Sequence, residues 1–185
     1  MLILLSGCSG AGKNTVIDKL LERNKNLCYL KSCTSREKEQ RDIEKSPYIH
    51  LTKEEFEEKI KNNELFEYEE IHGNYYGLLK STIDDAIQSD KNFIKDIGVI
   101  GQKNMVQRLD HKLKIVSIFL DVPKQELINR LKLRGEKNIE KRMERFEFES
   151  AHRPNFNLII QNDNLDKTLQ IIENILNKNE QKSEF

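Results

Sequence analysis

The first 23 residues of the chain constrain its fold more than any other segment. They open with four consecutive large aliphatic residues at positions 2–5, and so short and continuous an apolar run is typical of a strand buried on both faces of a parallel sheet. Glycines at positions 7, 10 and 12 then end the run. From 14 to 23 the apolar residues fall on one face of a helix. The segment therefore predicts a strand, a glycine-rich turn and a helix.

The turn has the spacing of a phosphate-binding loop, G-x-x-x-x-G-K. In such a loop the backbone N–H groups and a helix N-terminus point at a phosphate, while the lysine adds a full positive charge. A glycine-rich turn without a ligand is the alternative, but the position between an aliphatic strand and an amphipathic helix favours a nucleotide site. The candidate ATP-binding residues are Gly7, Cys8, Ser9, Gly10, Ala11, Gly12, Lys13, Asn14 and Thr15.

The residue that follows the lysine departs from the usual motif. That position normally carries Ser or Thr, whose hydroxyl is a Mg²⁺ ligand, and here it is Asn14. An amide carbonyl is also a hard-cation ligand, whereas Thr15 lies about 100° further around the helix. Asn14 is therefore the candidate Mg²⁺ ligand, and impaired metal binding is the competing interpretation.

Composition limits the other possibilities. A chain of 185 residues is long enough for one buried core with a small inserted lobe. The 31 acidic and 31 basic residues are interspersed, which argues against broad nucleic-acid binding. The three cysteines form neither a CxxC pair nor a zinc set, so we expect a reducing cytoplasm. We expect no export signal or membrane span, because the N-terminal apolar run is short and no stretch approaches ~20 apolar residues.

The later part of the chain alternates strand and helix patterns, which predicts a parallel α/β sheet. A charged segment at 134–148 predicts a mobile helical flap, and the middle of the chain, with two short strand patterns, predicts an inserted small lobe. The predicted strands lie at 48–51, 65–71, 93–97, 115–120 and 158–160, and the predicted helices at 53–62, at 123–133 and around 165–176.

Seven sequence blocks resemble guanylate kinases, in the same order and at similar separations. The blocks are GCSGAGKNT, SCTSR, YIHLTKEEF, LFEYEEIHGNYYG, RLKLRG, KRM and QNDNLDK. The resemblance spans nearly the whole chain and implies transfer of the γ-phosphoryl group of ATP to GMP with Mg²⁺. It also implies an α/β fold with a three-layer P-loop core and parallel sheet at 1–31 and 83–185, a helical lid at about 134–148, and a GMP-binding lobe at 32–82.

The resemblance assigns the GMP phosphate to an arginine and two tyrosines, and guanine to a carboxylate and a hydroxyl. Arginine presents a bidentate fork to phosphate oxygens. A carboxylate that faces two N–H donors of guanine would repel the acceptor N1 of adenine. The alternative is that these side chains are ordinary surface and packing residues. The matching positions are Arg36, Tyr48 and Tyr76 for the phosphate, and Glu67 and Ser32 for the base.

Three positions of the acceptor site depart from the family pattern. A second phosphate-binding arginine falls on Glu39, a second hydroxyl near the base on Leu78, and a second aspartate on Gly98. Arg41 is a candidate replacement for the arginine, and Lys38 is another. These departures keep open a kinase for a different phosphorylated acceptor. A non-catalytic guanylate-kinase-like binding module is the other alternative, supported by Asn14.

The resemblance also implies a set of charged residues around the reacting phosphates. Asp96, on the GMP side, would orient a metal-bound water or an arginine, or else cap the next helix. Asn162 matches a residue near the adenine, with helix capping as the alternative. Arg145 is a further candidate one helical turn beyond Arg142. The predicted catalytic residues are Lys13, Arg36, Arg130, Arg134 and Arg142. The sequence predicts no nucleic-acid or membrane partner and gives no oligomeric state.

Overall fold

The computed structural model describes residues 1–38, 46–71 and 73–180. Its strands are β1 Leu2–Ser6, β2 Leu27–Tyr29, β3 Ser32–Thr34, β4 Tyr48–His50, β5 Leu65–Ile71, β6 Asn74–Leu79, β7 Asn92–Asp96, β8 Ile115–Asp121 and β9 Leu158–Gln161. Its helices are α1 Lys13–Arg23, α2 Lys53–Lys61, α3 Lys80–Gln88, α4 Val99–Leu109, α5 Lys124–Leu133, α6 Ile139–Met143, α7 Phe146–Ala151 and α8 Leu165–Glu180, with a 3₁₀ turn at Arg153–Asn155. In these residues no helix is long and apolar enough to cross a membrane.

Strand β1 lies at the centre of a five-stranded sheet with the order β2-β7-β1-β8-β9. It pairs in parallel with both neighbours, so that Leu2 is opposite Phe93 on one side and Ile115 on the other. All four aliphatic residues of β1 are fully buried, and each contributes about 1.5–3 kcal/mol. The predicted α/β fold with a parallel sheet is confirmed.

The carboxyl ends of these strands define one edge of the sheet. Strand β1 runs into the glycine-rich loop, β7 ends at Asp96, β8 at Asp121 and β9 just before Asn162. Parallel strands bring their carboxyl ends to the same edge, where open α/β sheets bind ligands. Helix α1 then returns over the sheet, burying Val16, Ile17 and Leu20, and contacts α8.

The chain separates into two compact units. One comprises Met1–Cys28 and Lys91–Phe185, and the other comprises Tyr29–Asp90. The second unit contains a four-stranded sheet with the order β4-β3-β6-β5, and α3 contacts β6 within it. This unit extends beyond the predicted 32–82 segment on both sides.

Helix α2 covers one face of the four-stranded sheet. It begins with a capping box, in which the Thr52 hydroxyl accepts from the Glu55 N–H and the Glu55 carboxylate accepts from the Thr52 N–H. Its Phe56 is fully buried and packs with Cys33 and Leu65 in a small core. A Cβ on Gly77 would lie 3.0 Å from the Phe56 ring. Glycine at 77 therefore lets the ring lie directly against β6.

Candidate active site

The loop from Gly7 to Lys13 turns tightly between β1 and α1. The Ala11 N–H donates to the Cys8 oxygen at 3.0 Å, which closes the turn. A Cβ on Gly7 would lie 2.7 Å from the backbone oxygen of Leu120. Gly12, at φ 92°, begins α1 in the left-handed region that disfavours a side chain. Glycine is therefore needed at these positions both because the loop packs closely against β8 and because its backbone turns tightly.

The ammonium of Lys13 lies over the loop. It donates to the backbone oxygen of Gly7 and, at 3.4 Å, to that of Cys8. Burial lowers the pKa of the Lys13 ammonium, while the carboxylates of Glu149 and Asp96 act in the opposite direction. The predicted phosphate-binding lysine and Asp96 thus share one electrostatic environment, together with Glu149 of α7.

The start of α1 presents polar groups at the same edge of the sheet. Asn14 and Thr15 are exposed in the first turn, while Ser9 and Gly10 are half-buried in the loop. The first N–H groups of a helix have no acceptor within the helix, and the helix dipole makes this end favourable for anions. The exposed carboxamide of Asn14 carries an oxygen of the kind that Mg²⁺ accepts as a ligand.

Asn162 lies directly after β9 and is turned into the protein. Its Nδ2 donates to the Ala11 oxygen at 2.7 Å, and its Oδ1 accepts from the Thr168 hydroxyl at 2.8 Å. The side chain that accepts at the start of α8 is that of Asn164, whose Oδ1 bonds the Lys167 N–H at 3.0 Å. Asn162 therefore contacts the phosphate loop rather than acting as that cap.

Helix α7 lies against the phosphate loop, a relationship that the sequence did not predict. The Cys8 thiol lies 3.6 Å from the Ser150 hydroxyl. Burial raises the pKa of the Cys8 thiol, and the hydrogen bond with Ser150 acts in the opposite direction. Just beyond α7, Arg153 donates to both carboxylate oxygens of Asp121 at 3.0 and 2.9 Å. Both contacts come from one guanidinium nitrogen, Nη1, and this ion pair ties the chain just after α7 to the end of β8.

The predicted catalytic arginines of this unit are distributed along α5 and α6. Arg130 donates to the backbone oxygen of Asn162 at 2.9 Å and to Glu126 at 3.0 Å, so it lies beside the loop region. Arg134 is exposed at the end of α5. Arg142 pairs with Glu136 at 3.2 Å, and Arg145 lies 3.7 Å from Glu149. Arg130 thus bonds the residue that follows β9, whereas Arg142 and Arg145 pair with carboxylates between α5 and the end of α7.

The second unit gathers most of the predicted acceptor residues on one face of its sheet. Ser32 is opposite Tyr48 in β4, and Glu67 is opposite Leu78 in β6. Side chains alternate along a strand, and β5 shifts its register between Leu65 and Glu67. These four residues and Tyr76 therefore share the face opposite Phe56. The Tyr48 and Tyr76 rings meet edge to face at 5.8 Å.

Arg36 lies beside this tyrosine pair. Its guanidinium carbon is 5.9 Å from the centre of the Tyr48 ring, and its backbone oxygen lies 2.9 Å from Nδ1 of His50. The other nitrogen of His50 lies 2.9 Å from the Ser46 hydroxyl. His50 thus links the Arg36 backbone to the start of the segment that enters β4, a contact the sequence did not predict.

The departures from the family pattern have different structural outcomes. Glu39 and Arg41 lie outside the described residues. Leu78 is buried, with 1% of its surface exposed, so an apolar residue fits the position where the family carries a hydroxyl. Gly98 precedes α4, and a Cβ there would meet nothing within 4 Å. Packing at the Cβ position therefore does not require glycine at 98.

The chain is similar in sequence and in fold to known proteins. A family model described as guanylate kinase matches residues 1–179. The guanylate kinase of Mesomycoplasma hyopneumoniae strain 7448 is 41% identical, with the match covering 98% of this chain and 96% of that protein. That of Mycoplasmoides gallisepticum is 38% identical, covering 96% and 92%. A crystal structure of guanylate kinase from Anaplasma phagocytophilum superposes with a TM-score of 0.72 at 26% identity, covering 97% of this chain and 85% of that one.

These matches confirm the resemblance predicted from the seven sequence blocks, and they do not favour either alternative, a kinase for another acceptor or a non-catalytic module. The chain therefore belongs to the guanylate kinase family of ATP-dependent nucleoside monophosphate kinases.

Proposed function

We propose that the chain transfers the γ-phosphoryl group of Mg²⁺-bound ATP to GMP, giving ADP and GDP. The observation that carries the proposal is the phosphate loop, in which Lys13 lies over a tight turn at the start of α1. In phosphoryl transfer the protein aligns donor and acceptor and neutralises charge on the phosphates. A buried ammonium and a helix N-terminus supply that charge at one place.

The donor half of the proposed site is the loop with α1. In the structure Lys13 bonds the Gly7 and Cys8 oxygens, and we propose that phosphate oxygens of ATP replace these acceptors. Mg²⁺ enters with ATP as part of the substrate. The Asn14 carboxamide is the proposed ligand because it is exposed in the first turn of α1 and offers a hard oxygen.

The acceptor half of the proposed site is the face of the four-stranded sheet opposite Phe56, which makes the Tyr29–Asp90 unit the proposed GMP-binding lobe. Arg36 would bind the GMP phosphate as a bidentate donor, and the Tyr48 and Tyr76 hydroxyls would each donate one more hydrogen bond. Glu67 would accept from the guanine N–H groups and Ser32 would bond the base. The edge-to-face contact of the tyrosines supports this assignment because it sets their rings in one cluster.

The proposed lid is the segment at about 134–148, which holds α6 and the start of α7. Its arginines at 134 and 142 are exposed, and Arg142 pairs with Glu136 on the surface. Surface pairs of this kind contribute little stability, so a triphosphate would compete for Arg142 at small cost. Closure of this segment over bound ATP would add positive charge and exclude water.

The proposed reaction belongs to purine nucleotide metabolism. We also propose a cytoplasmic location, supported by the three cysteines, which are free thiols in the structure as expected in a reducing compartment.

A coupled assay of ADP release, with Mg-ATP and each of GMP, dGMP, AMP, CMP and UMP, tests the proposed substrates. We expect turnover with GMP and far slower turnover with AMP and the pyrimidine nucleotides. Preferred turnover of another nucleotide would assign the acceptor differently. No turnover with any of the five would contradict the proposed reaction.

A further inference from the structure

Both ends of the Asn162 carboxamide make a hydrogen bond inside the protein. The residue is 6% exposed and Thr168 is completely buried. Because a backbone carbonyl can only accept, the nitrogen of the carboxamide must face the Ala11 oxygen, 2.7 Å away. The Oδ1 atom then faces the Thr168 hydroxyl, which donates to it at 2.8 Å. The Thr168 hydroxyl therefore fixes which way the carboxamide points.

The Ala11 oxygen belongs to the peptide between Ala11 and Gly12, the two residues before Lys13. A trans peptide is planar, so the carbonyl of Ala11 and the N–H of Gly12 point in opposite directions. Holding the Ala11 oxygen on one side therefore sets the direction of the Gly12 N–H on the other. A Cβ on Gly12 would lie 2.9 Å from Asn162 Nδ2, which shows how closely the carboxamide packs on this peptide.

The backbone of Asn162 is anchored independently of its side chain. Its N–H donates to the Asp121 oxygen at 2.9 Å, and its oxygen accepts from Arg130 at 2.9 Å. One residue thus joins β8, the phosphate loop and an arginine proposed to act on ATP. A residue that is held from several directions keeps its side chain in one position, as a binding site requires.

We propose that Asn162 is a positioning residue of the ATP site: oriented by Thr168, its carboxamide holds the Ala11 carbonyl so that the Gly12 N–H points at a phosphate of ATP. The inference rests on the proposed function and specifies which residues outside the loop hold the loop in its binding geometry. In this role Asn162 acts on ATP by holding the loop, which is separate from the predicted contact near adenine.

Four variants test the pair. Thr168→Val keeps the shape of the side chain but removes the donor to Asn162, whereas Thr168→Ser keeps the hydroxyl. Asn162→Asp keeps the shape but offers no donor to the Ala11 oxygen. Asn164→Ala is the matched control, because Asn164 bonds the start of α8 and has no part in the loop contact. Each variant is compared with the wild type in Mg-ATP affinity by calorimetry without acceptor, in the KM for each substrate, in kcat and in Tm.

We expect Thr168→Val and Asn162→Asp to weaken Mg-ATP binding about tenfold, the scale of one lost hydrogen bond to the loop. The KM for GMP should change by less than about twofold, since the acceptor groups are untouched. Thr168→Ser should bind ATP like the wild type. Asn164→Ala should lower Tm without changing ATP affinity.

Wild-type ATP affinity in both Thr168→Val and Asn162→Asp would overturn the proposal, whatever their Tm. An equal loss of affinity in Asn164→Ala would also overturn it, because destabilisation of α8 would then explain the effect. If Asn162→Asp fails to fold, the comparison of Thr168→Val with Thr168→Ser decides. A wild-type protein that does not bind Mg-ATP would contradict the proposed function itself, and the positioning role with it.

Discussion

The thiol of Cys8 lies 3.6 Å from the hydroxyl of Ser150, so a residue of the phosphate loop contacts helix α7. Cys8 is buried, and burial raises the pKa of its thiol. The thiolate is the reactive form of cysteine. The position of Cys8 inside the loop therefore does not make it an activated thiol.

We expect Cys8 to react with iodoacetamide at pH 8 more slowly than Cys28, which is less buried, by at least about tenfold. Peptide mass spectrometry after timed quenching measures both rates in the same sample. Saturating Mg-ATP should slow Cys8 further and leave Cys28 unchanged. Equal rates for the two cysteines would contradict the burial argument.

The lowered pKa of Lys13 predicts a pH dependence of ATP binding. Burial is the main cause of the shift, so in the empty site Lys13 loses its proton at a lower pH than an ordinary lysine, whose pKa is about 10.4. Phosphate oxygens favour the charged form and would restore the proton. The KM for ATP should therefore rise as pH increases through the range below ~10.4, while kcat at saturating ATP changes less.

Lys13→Arg provides the control, because a guanidinium stays charged throughout this range. Its KM for ATP should be higher than that of the wild type but flat with pH. The same rise in KM in both proteins would show that another group titrates. The lowered pKa also means that the unfolded chain binds the Lys13 proton more tightly, so this group makes the empty protein more stable as pH rises between the two pKa values.

Asn14 predicts an altered dependence on Mg²⁺. If its carboxamide oxygen is a weak ligand in place of a hydroxyl, Asn14→Ser should lower the Mg²⁺ concentration for half-maximal rate by about threefold or more, and Asn14→Ala should raise it. Magnesium titrations at fixed ATP measure both changes. Identical titrations of the wild type and both variants would show that Asn14 is not a Mg²⁺ ligand.

The carboxylate of Glu67 is expected to determine the preference for guanine over adenine. Glu67→Gln removes the negative charge that disfavours adenine and should reduce the ratio of kcat/KM for GMP over AMP by at least about tenfold. Glu69, two residues along the same strand and exposed, provides the control variant Glu69→Gln, which should keep the wild-type ratio. Equal ratios in Glu67→Gln and the wild type would leave guanine recognition to other groups.

The sequence predicted the parts of the fold that are local and strongly patterned. The four aliphatic residues of β1 form one run, and the apolar residues of α1 recur at helical spacing within ten residues. The structure has both elements at the predicted positions. Helix α4 was not predicted, because Gln102 takes one of its buried positions and glycines lie just before it, at 98, and in its first turn, at 101. Strand β6 was not predicted either, because Gly77 breaks its apolar pattern; the ring of Phe56 leaves no room for a side chain there.

The candidate site follows from the sequence where a motif defines it, and not where it depends on contacts between distant residues. Lys13 and the loop glycines are proposed from their spacing between an aliphatic strand and an amphipathic helix. The bond from Asn162 to Ala11 joins residues 151 positions apart, and that between Cys8 and Ser150 joins residues 142 positions apart. A single sequence carries no pattern for such pairs, because they arise from the order of strands in the sheet.

The most direct test of the proposed reaction follows the phosphoryl group itself. Wild-type protein is incubated with GMP and with ATP labelled in its γ-phosphate, and the nucleotides are separated by chromatography. We expect the label to appear in the β-phosphate of GDP, at a rate that Lys13→Ala reduces by at least about a hundredfold and that Lys19→Ala, on the exposed side of α1, leaves unchanged. Label that never enters GDP, or transfer by Lys13→Ala at the wild-type rate, would contradict the account.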